Sequence, residues 1–202
     1  MVNTQIIHSE EFQKHHNPSH PENAARTKIM FNQLKKASFY PQLDFVEPKI
    51  LPEKLLYEVH SDRMIKQVKD ISETEDSWID LDTYVCKDDF YTARLAAGSL
   101  LKLCKNVLNE EADNGFALIR PPGHHATSKT SMGFCLFNNE SLAAHALTKE
   151  DKKVLIFDPD VHHGNGIQDI FYDRKDVLYQ SIHLSPHFPG TGEIEEIGSG
   201  DG

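Results

Sequence analysis

Cysteine is scarce in this chain: Cys86, Cys104 and Cys135 are the three in 202 residues, far apart and without a CxxC pair. That scarcity argues against a disulfide framework and against a thiolate zinc site, and the three are read as reduced thiols. Long apolar runs are missing as well; nothing approaches the ~18 residues that a membrane helix needs. The N-terminal MVNTQIIHSEEF has no basic segment leading into an apolar stretch, so a cleaved secretory leader is not expected and a cytoplasmic address follows. Positive charge is in deficit, 21 Lys and Arg against 31 Asp and Glu for a net charge of −10. This works against direct binding to nucleic acid and mildly favours cationic partners. Internal repeats and low-complexity tracts are lacking too.

What the chain does have is histidine, 12 in all, several of them as adjacent pairs. Its length suits one domain, or part of one, with a sizeable core. TQIIH reads as a short strand. HHNPSHPENAAR is loop ending in a helix start, with a helix from about Glu22 to Lys36. DFVEPKI resembles a strand, and apolar residues at helical spacing flank His60 in PEKLLYEVHS and RMIKQVKDI. ISETEDSWIDLDTYV reads as polar loop, and the run from Asp88 to about Asn114 as a long helix closed by Gly115.

Three apolar segments follow, FALIR (116–120), KVLIFD (153–158) and VLYQSIHL (177–184), with the helical pattern NNESLAAHALTKE among them. Nearly continuous apolar strands alternating with helices predict an α/β fold, a parallel sheet with helices on both faces. PPGHHA, PDVHHGNG and LSPHFPGTG each lie directly after one of these strands. In open parallel sheets ligands bind beyond the carboxyl ends of the strands, so the polar chemistry collects on one edge.

The stretch FDPDVHHGNG, residues 157–166, puts two acids and two imidazoles close together. If residues 158–162 run extended, Asp158, Asp160 and His162 share one side, with neighbours roughly 6–7 Å apart at Cα. Carboxylate and imidazole are good zinc ligands, and a catalytic zinc ordinarily has three protein ligands and an open position for water. Asp160 and His162 supply two. The plainer reading is a polar loop capping the next helix, and the second HH motif weighs against it. In RPPGHHA, Pro121, Pro122 and Gly123 hold His124 and His125 in a fixed orientation. Beside a metal, such a pair can divide proton work, one ring activating water and the other serving the leaving group. Asp158 and Asn165 are polar groups able to fix their tautomers. Phe134 and Phe188, in Gly/Pro-rich settings on the same edge, are either core residues or the lining of a narrow channel.

RPPGHHA, GFCLFNN, DPDVHHGNG and SIHLSPHFPGTG, with HPENAAR and DTYV before them, resemble in order the motifs of the zinc-dependent histone deacetylase family, including its acetoin-utilisation and acetylpolyamine amidohydrolase members. The resemblance implies a three-layer α/β/α fold with a parallel sheet, shared with arginases, and substrates that are N-acetylated amines: acetyl-lysine of proteins or acetylated polyamines. It implies Asp160 and His162 as zinc ligands and His124 and His125 as the catalytic pair, with Asp158 orienting His124 and Asn165, where some members have Asp, orienting His125. Phe134 and Phe188 look like the walls of the acyl-lysine tunnel, with Gly133 beside the first. Asp82 looks like the rim acid that holds the substrate backbone, and Arg26 like an arginine below the site. A structural potassium would be held by Asp158, Asp160, His162, Ser181 and Ile182. Pro159 departs from the aromatic or aliphatic residue usual between the two acids and is expected to point away from the metal.

A second metal-binding aspartate and a carbonyl-polarising tyrosine lie well downstream of PGTG in that family, whereas this sequence stops at GSGDG. The expectation is a single partial domain, 1–202, truncated at its C-terminus, weak or inactive alone, with an open sheet edge through which it could oligomerise. Two other readings stand beside it: a non-catalytic acyl-lysine-binding module, and an arginase-like manganese ureohydrolase, which the lack of a DAHxD stretch disfavours.

Overall fold

Residues 2–202 are described by a computed structural model. In chain order the strands are β1 (Thr4–His8), β2 (Asp44–Phe45), β3 (Ser77–Trp78), β4 (Tyr84–Val85), β5 (Asn114–Leu118), β6 (Val154–Asp158) and β7 (Val177–Ser181). The helices are α1 (Ala25–Leu34), α2 (Glu53–Leu56), α3 (Asp62–Ser72), α4 (Asp89–Leu108), α5 (Asn139–Thr148) and α6 (Asn165–Phe171). The fold is α/β, with β2-β1-β5 forming one parallel sheet and β6-β7 another, and β3 and β4 a short antiparallel pair. Among the described residues no helix is long and apolar enough to cross a membrane.

Alternation along β1 explains its layering. Ile7 packs on Leu95, Ala96 and Leu103 of α4, while His8, one residue on and therefore on the opposite face, stacks on Phe31 of α1 with ring centroids 3.9 Å apart. Helix thus covers both faces of this sheet. On β6 and β7, Val154, Ile156 and Val177 pack against Ala144 of α5 and Ile167 and Phe171 of α6. The alternate residues Leu155, Phe157 and Leu178 are 59%, 54% and 57% exposed, so this sheet is covered on one side. The largest core cluster lies where α3, α4 and α5 meet the segment before α5, with Met64, Ile65, Val68, Ala97, Phe137 and Leu142 all buried. Gly98 lets the backbone of residues 49–51 run directly against α4; a Cβ there would sit 2.2 Å from the Lys49 carbonyl oxygen.

Several boundaries differ from the sequence reading. Helix α1 begins at Ala25 rather than Glu22, because Glu22 is drawn into the interior by Arg120. The run read as one helix to Asn114 ends at Leu108; Glu110 takes φ +61°, and Asn114 and Gly115 pair with Thr4 and Gln5 as the start of β5. Strand β5 therefore spans 114–118 rather than 116–120, and β7 stops at Ser181. In DFVEPKI two residues form the ladder, and the stretch read as polar loop contains the end of α3 and the β3–β4 pair. Asp160 and His162 lie beyond the end of β6, so strand alternation does not align them.

Candidate active site

His124, His125, Asp160, His162 and Phe188 stand on loops that leave strands at their carboxyl ends. After β5, Pro121–Gly123 lead to His124 and His125; after β6, residues 159–164 lead into α6; after β7, residues 182–192 bring in Phe188. Together with Glu22, Arg26, Asp82, Gly133 and Phe134 these loops enclose a cavity of about 620 Å³, also lined by Asp160 and His162.

A turn, in place of an extended run, joins the two candidate ligands. Asp160 Oδ1 accepts the backbone N–H of His162 at 2.9 Å and lies 3.2 Å from His162 Nδ1. The Asp160 amide in turn donates to Asp158 Oδ1 at 3.1 Å, so the acids are chained through side chain to backbone. This local bonding keeps the two donors together even though the strand has ended. Pro159 lines a different cleft, of about 290 Å³, with Ile156 and Phe157.

The tandem histidines have contrasting partners. His124 Nδ1 lies 2.9 Å from Asp158 Oδ2, and His125 Nδ1 lies 2.8 Å from Asn165 Oδ1, with the two ring centroids 4.0 Å apart. Burial works against a charge on His124, but the hydrogen bond and charge of Asp158, aided by Asp160, raise its pKa above the ordinary histidine value. Burial and the neighbouring His124 lower that of His125 to about 4, and the uncharged hydrogen bond to Asn165 offsets this only in part. One ring is thus biased to hold its second proton and the other to lack it. Burial lowers the ionisation tendency of Asp82 as well: its carboxyl is pushed up by desolvation and by the Asp80 carboxylate, and it accepts from the Thr83 hydroxyl at 3.1 Å.

Aromatic rings close the space around them. Phe188 meets His125 edge to face at 5.1 Å, and Phe134 meets His20 at 4.6 Å. Gly133 has φ +55° and lies against the His125 ring; a Cβ there would come within 2.5 Å of His125 Cδ2. Of the five residues read as a potassium site, Asp158 and Ser181 are register partners on β6 and β7, and the Asp158 carbonyl accepts the amide of Ile182.

Other residues at this site went unread in the sequence. Arg26 lines the cavity and pairs with Glu22, its side chain 56% exposed, and a second arginine on Glu22, Arg120, is 2% exposed. Arg120 donates to Glu22 Oε1 at 2.6 Å and to the Phe12 carbonyl at 2.9 Å. Its place at the head of RPPGHHA, between a strand and a rigid turn, was the available signal. Tyr179 donates to Asp158 Oδ2 at 3.0 Å and accepts from the Gly164 amide at 3.0 Å, a role hidden inside an apolar strand pattern. Glu140, whose Oε2 is buried without a partner, stood out in the sequence as an acid in the apolar pattern NNESLAA.

The family model described as the histone deacetylase domain matches residues 20–202. The chain belongs to the histone deacetylase family. Relatives of this histone deacetylase family chain include a probable deacetylase of Methanothermobacter thermautotrophicus, 39% identical over 96% of the chain and 59% of the relative, and one of Archaeoglobus fulgidus, 37% identical over 98% and 56%. Histone deacetylase 15 of Arabidopsis thaliana is 40% identical over 98% of the chain and 36% of the relative. The crystal structure of the HDA15 HD domain superposes with a TM-score of 0.94 at 36% identity, covering 99% of this chain and 60% of that one. The chain therefore spans less than two thirds of the length of these deacetylase relatives.

Proposed function

We propose that these residues form the acyl-amide pocket and proton-transfer groups of a zinc-dependent amidohydrolase that removes acetyl groups from amines, acetyl-lysine of proteins or acetylated polyamines. The observation that carries the reading is the pairing of His124 with Asp158 and of His125 with Asn165 on one cavity with Asp160 and His162. Asp160 Oδ1 and His162 Nδ1, 3.2 Å apart and open to the cavity, suit zinc, since ligands bound at about 2.0–2.1 Å in a tetrahedral site lie roughly 3.3 Å from one another. When bound, zinc would polarise the acetyl carbonyl and make a water molecule more acidic.

The chain's own groups then divide the proton work. An amide oxygen only accepts, so the bond to Asn165 puts the His125 proton on Nδ1 and leaves Nε2 free to take a proton from water. His124, whose hold on its second proton Asp158 strengthens, is the group able to give a proton to the departing amine. Phe134 and Phe188 would flank the acyl-lysine stem, Gly133 leaves room for the His125 ring, and Asp82 would accept N–H groups of the substrate backbone at the rim. For a structural potassium on Asp158, Asp160, His162, Ser181 and Ile182, the supporting feature is the pairing of Asp158 with Ser181.

Acetate release from an acetyl-lysine peptide and from an acetylated polyamine, at saturating zinc, tests the proposal. Zinc-dependent release that is lost in His125→Ala supports it. Peptide binding with no release under any zinc concentration would instead assign an acyl-lysine-binding module.

A further inference from the structure

Outside the cavity, His15, Cys86 and Asp89 each place one donor atom within 4.8 Å of the others. All three are interior residues, at 0%, 4% and 0% exposure. His15 comes from the loop after β1, Cys86 follows β4, and Asp89 opens α4, so the cluster ties three parts of the chain together. Its internal hydrogen bonds are incomplete. Asp89 Oδ2 is 2.6 Å from His15 Nδ1 and accepts the Cys86 amide at 2.6 Å, whereas Asp89 Oδ1 and His15 Nε2 are buried with no partner at all.

The turn that leads into α4 accounts for the bond between Asp89 Oδ2 and the Cys86 amide, and for nothing else here. A buried donor or acceptor left unpaired costs about 1–3 kcal/mol, so two in one cluster point to something that satisfies them. A catalytic thiol does not fit: burial, reinforced by the Asp89 carboxylate, pushes Cys86 up to about 12, far from a thiolate at neutral pH. A cation does fit. Imidazole, carboxylate and thiolate are each zinc ligands, and one thiolate plus one carboxylate cancel the charge of a divalent ion, the condition for burying it. The His15 ring is already oriented, stacked on Tyr84 at 4.2 Å and 5° between planes. A cavity of about 240 Å³ lined by Cys86, Tyr84, His16 and Trp78 adjoins the cluster, with room for a water as fourth ligand.

We propose that His15, Cys86 and Asp89 form a second metal site, separate from the catalytic cavity, that binds a thiophilic divalent ion of the zinc type and fastens the loop after β1 to the start of α4. Binding replaces the Cys86 S–H bond by a metal–sulfur bond and releases that proton to solvent; no electron transfer is involved. One thiolate thus suffices where the spacing of the three cysteines argued against any.

The metal-free 202-residue chain, titrated with Co²⁺, distinguishes the sites, because sulfur-to-cobalt charge transfer in the near ultraviolet arises from a thiolate ligand and not from Asp160 or His162. The band is expected in the wild type and in His162→Ala, to be displaced by zinc, and to vanish in Cys86→Ser. Absence of the band in the wild type, or its persistence in Cys86→Ser, overturns the site. Should Cys86→Ser lose its circular dichroism spectrum, the wild type alone decides. Zinc should slow alkylation of Cys86 roughly tenfold or more, with Cys104 unaffected, and an unchanged Cys86 rate rejects the proposal.

Discussion

The hydroxyl of Tyr179 donates to Asp158 Oδ2 at 3.0 Å, onto the same carboxylate oxygen that the His124 ring reaches at 2.9 Å. Tyrosine and histidine thus compete for one oxygen. In Tyr179→Phe the carboxylate loses a neutral donor and leans more on His124, so the His124 pKa should rise further, as read by histidine NMR titration. The Gly164 amide also loses its acceptor, and urea unfolding should show a cost of ~1–3 kcal/mol. A fall in the His124 pKa would contradict this account.

Gly133 is fixed by the His125 ring as well as by its positive φ. Gly133→Ala should push the ring out of line while leaving the core clusters untouched. The expected signature is a loss of acetate release on the order of 10²-fold, with Tm lowered as well because alanine is strained at this positive φ. Unchanged acetate release would contradict it.

Asn165→Asp places a carboxylate where a neutral amide now meets His125. The pKa of His125, about 4 as it stands, should climb by roughly one to three units. NMR titration of the His125 ring reads this directly, and an unmoved value would mean that Asn165 does not set it.

His60 makes stability depend on pH. Its Nδ1 donates to the Thr127 carbonyl and its Nε2 accepts the Asn138 amide, so only the neutral ring satisfies both. Burial lowers its pKa from 6.5 to about 4. The unfolded chain therefore takes up a proton first as pH falls, and this stabilisation, complete above pH 6.5, drains away on descent to about 4. The whole effect is on the order of 3 kcal/mol. Chemical unfolding across that range, compared with His60→Gln, should show a flatter profile in the variant.

Much of this architecture was readable because local pattern and tertiary role agree. TQIIH and KVLIFD are apolar enough to be strands wherever they occur, and a sheet puts the loops after them on one edge. Where tertiary pairing decides, the reading went astray: Asn114 and Gly115 look like a helix end and become strand because Thr4 and Gln5 pair with them. The polar pairs His124–Asp158 and His125–Asn165 were within reach of motif reasoning, since each motif supplies one partner. Glu22 with Arg120 is harder to pair, since 98 residues separate them and a buried ion pair leaves no spacing signature, although each lies in a motif. The same holds for His15 and Asp89, 74 residues apart.

The uncovered face of β6 and β7 sets how the chain behaves at different ionic strengths. Leu155, Phe157 and Leu178 form an adhesive surface, and mutual repulsion of molecules carrying −10 charges is what holds such surfaces apart in dilute buffer. Screening shrinks that repulsion from a reach of ~10 Å at 0.1 M salt to ~3 Å at 1 M. Light scattering should accordingly increase as salt is added, and Leu155→Lys should blunt the increase. Its colloidal stability belongs to low-salt conditions, and brine turns the bare strands into glue.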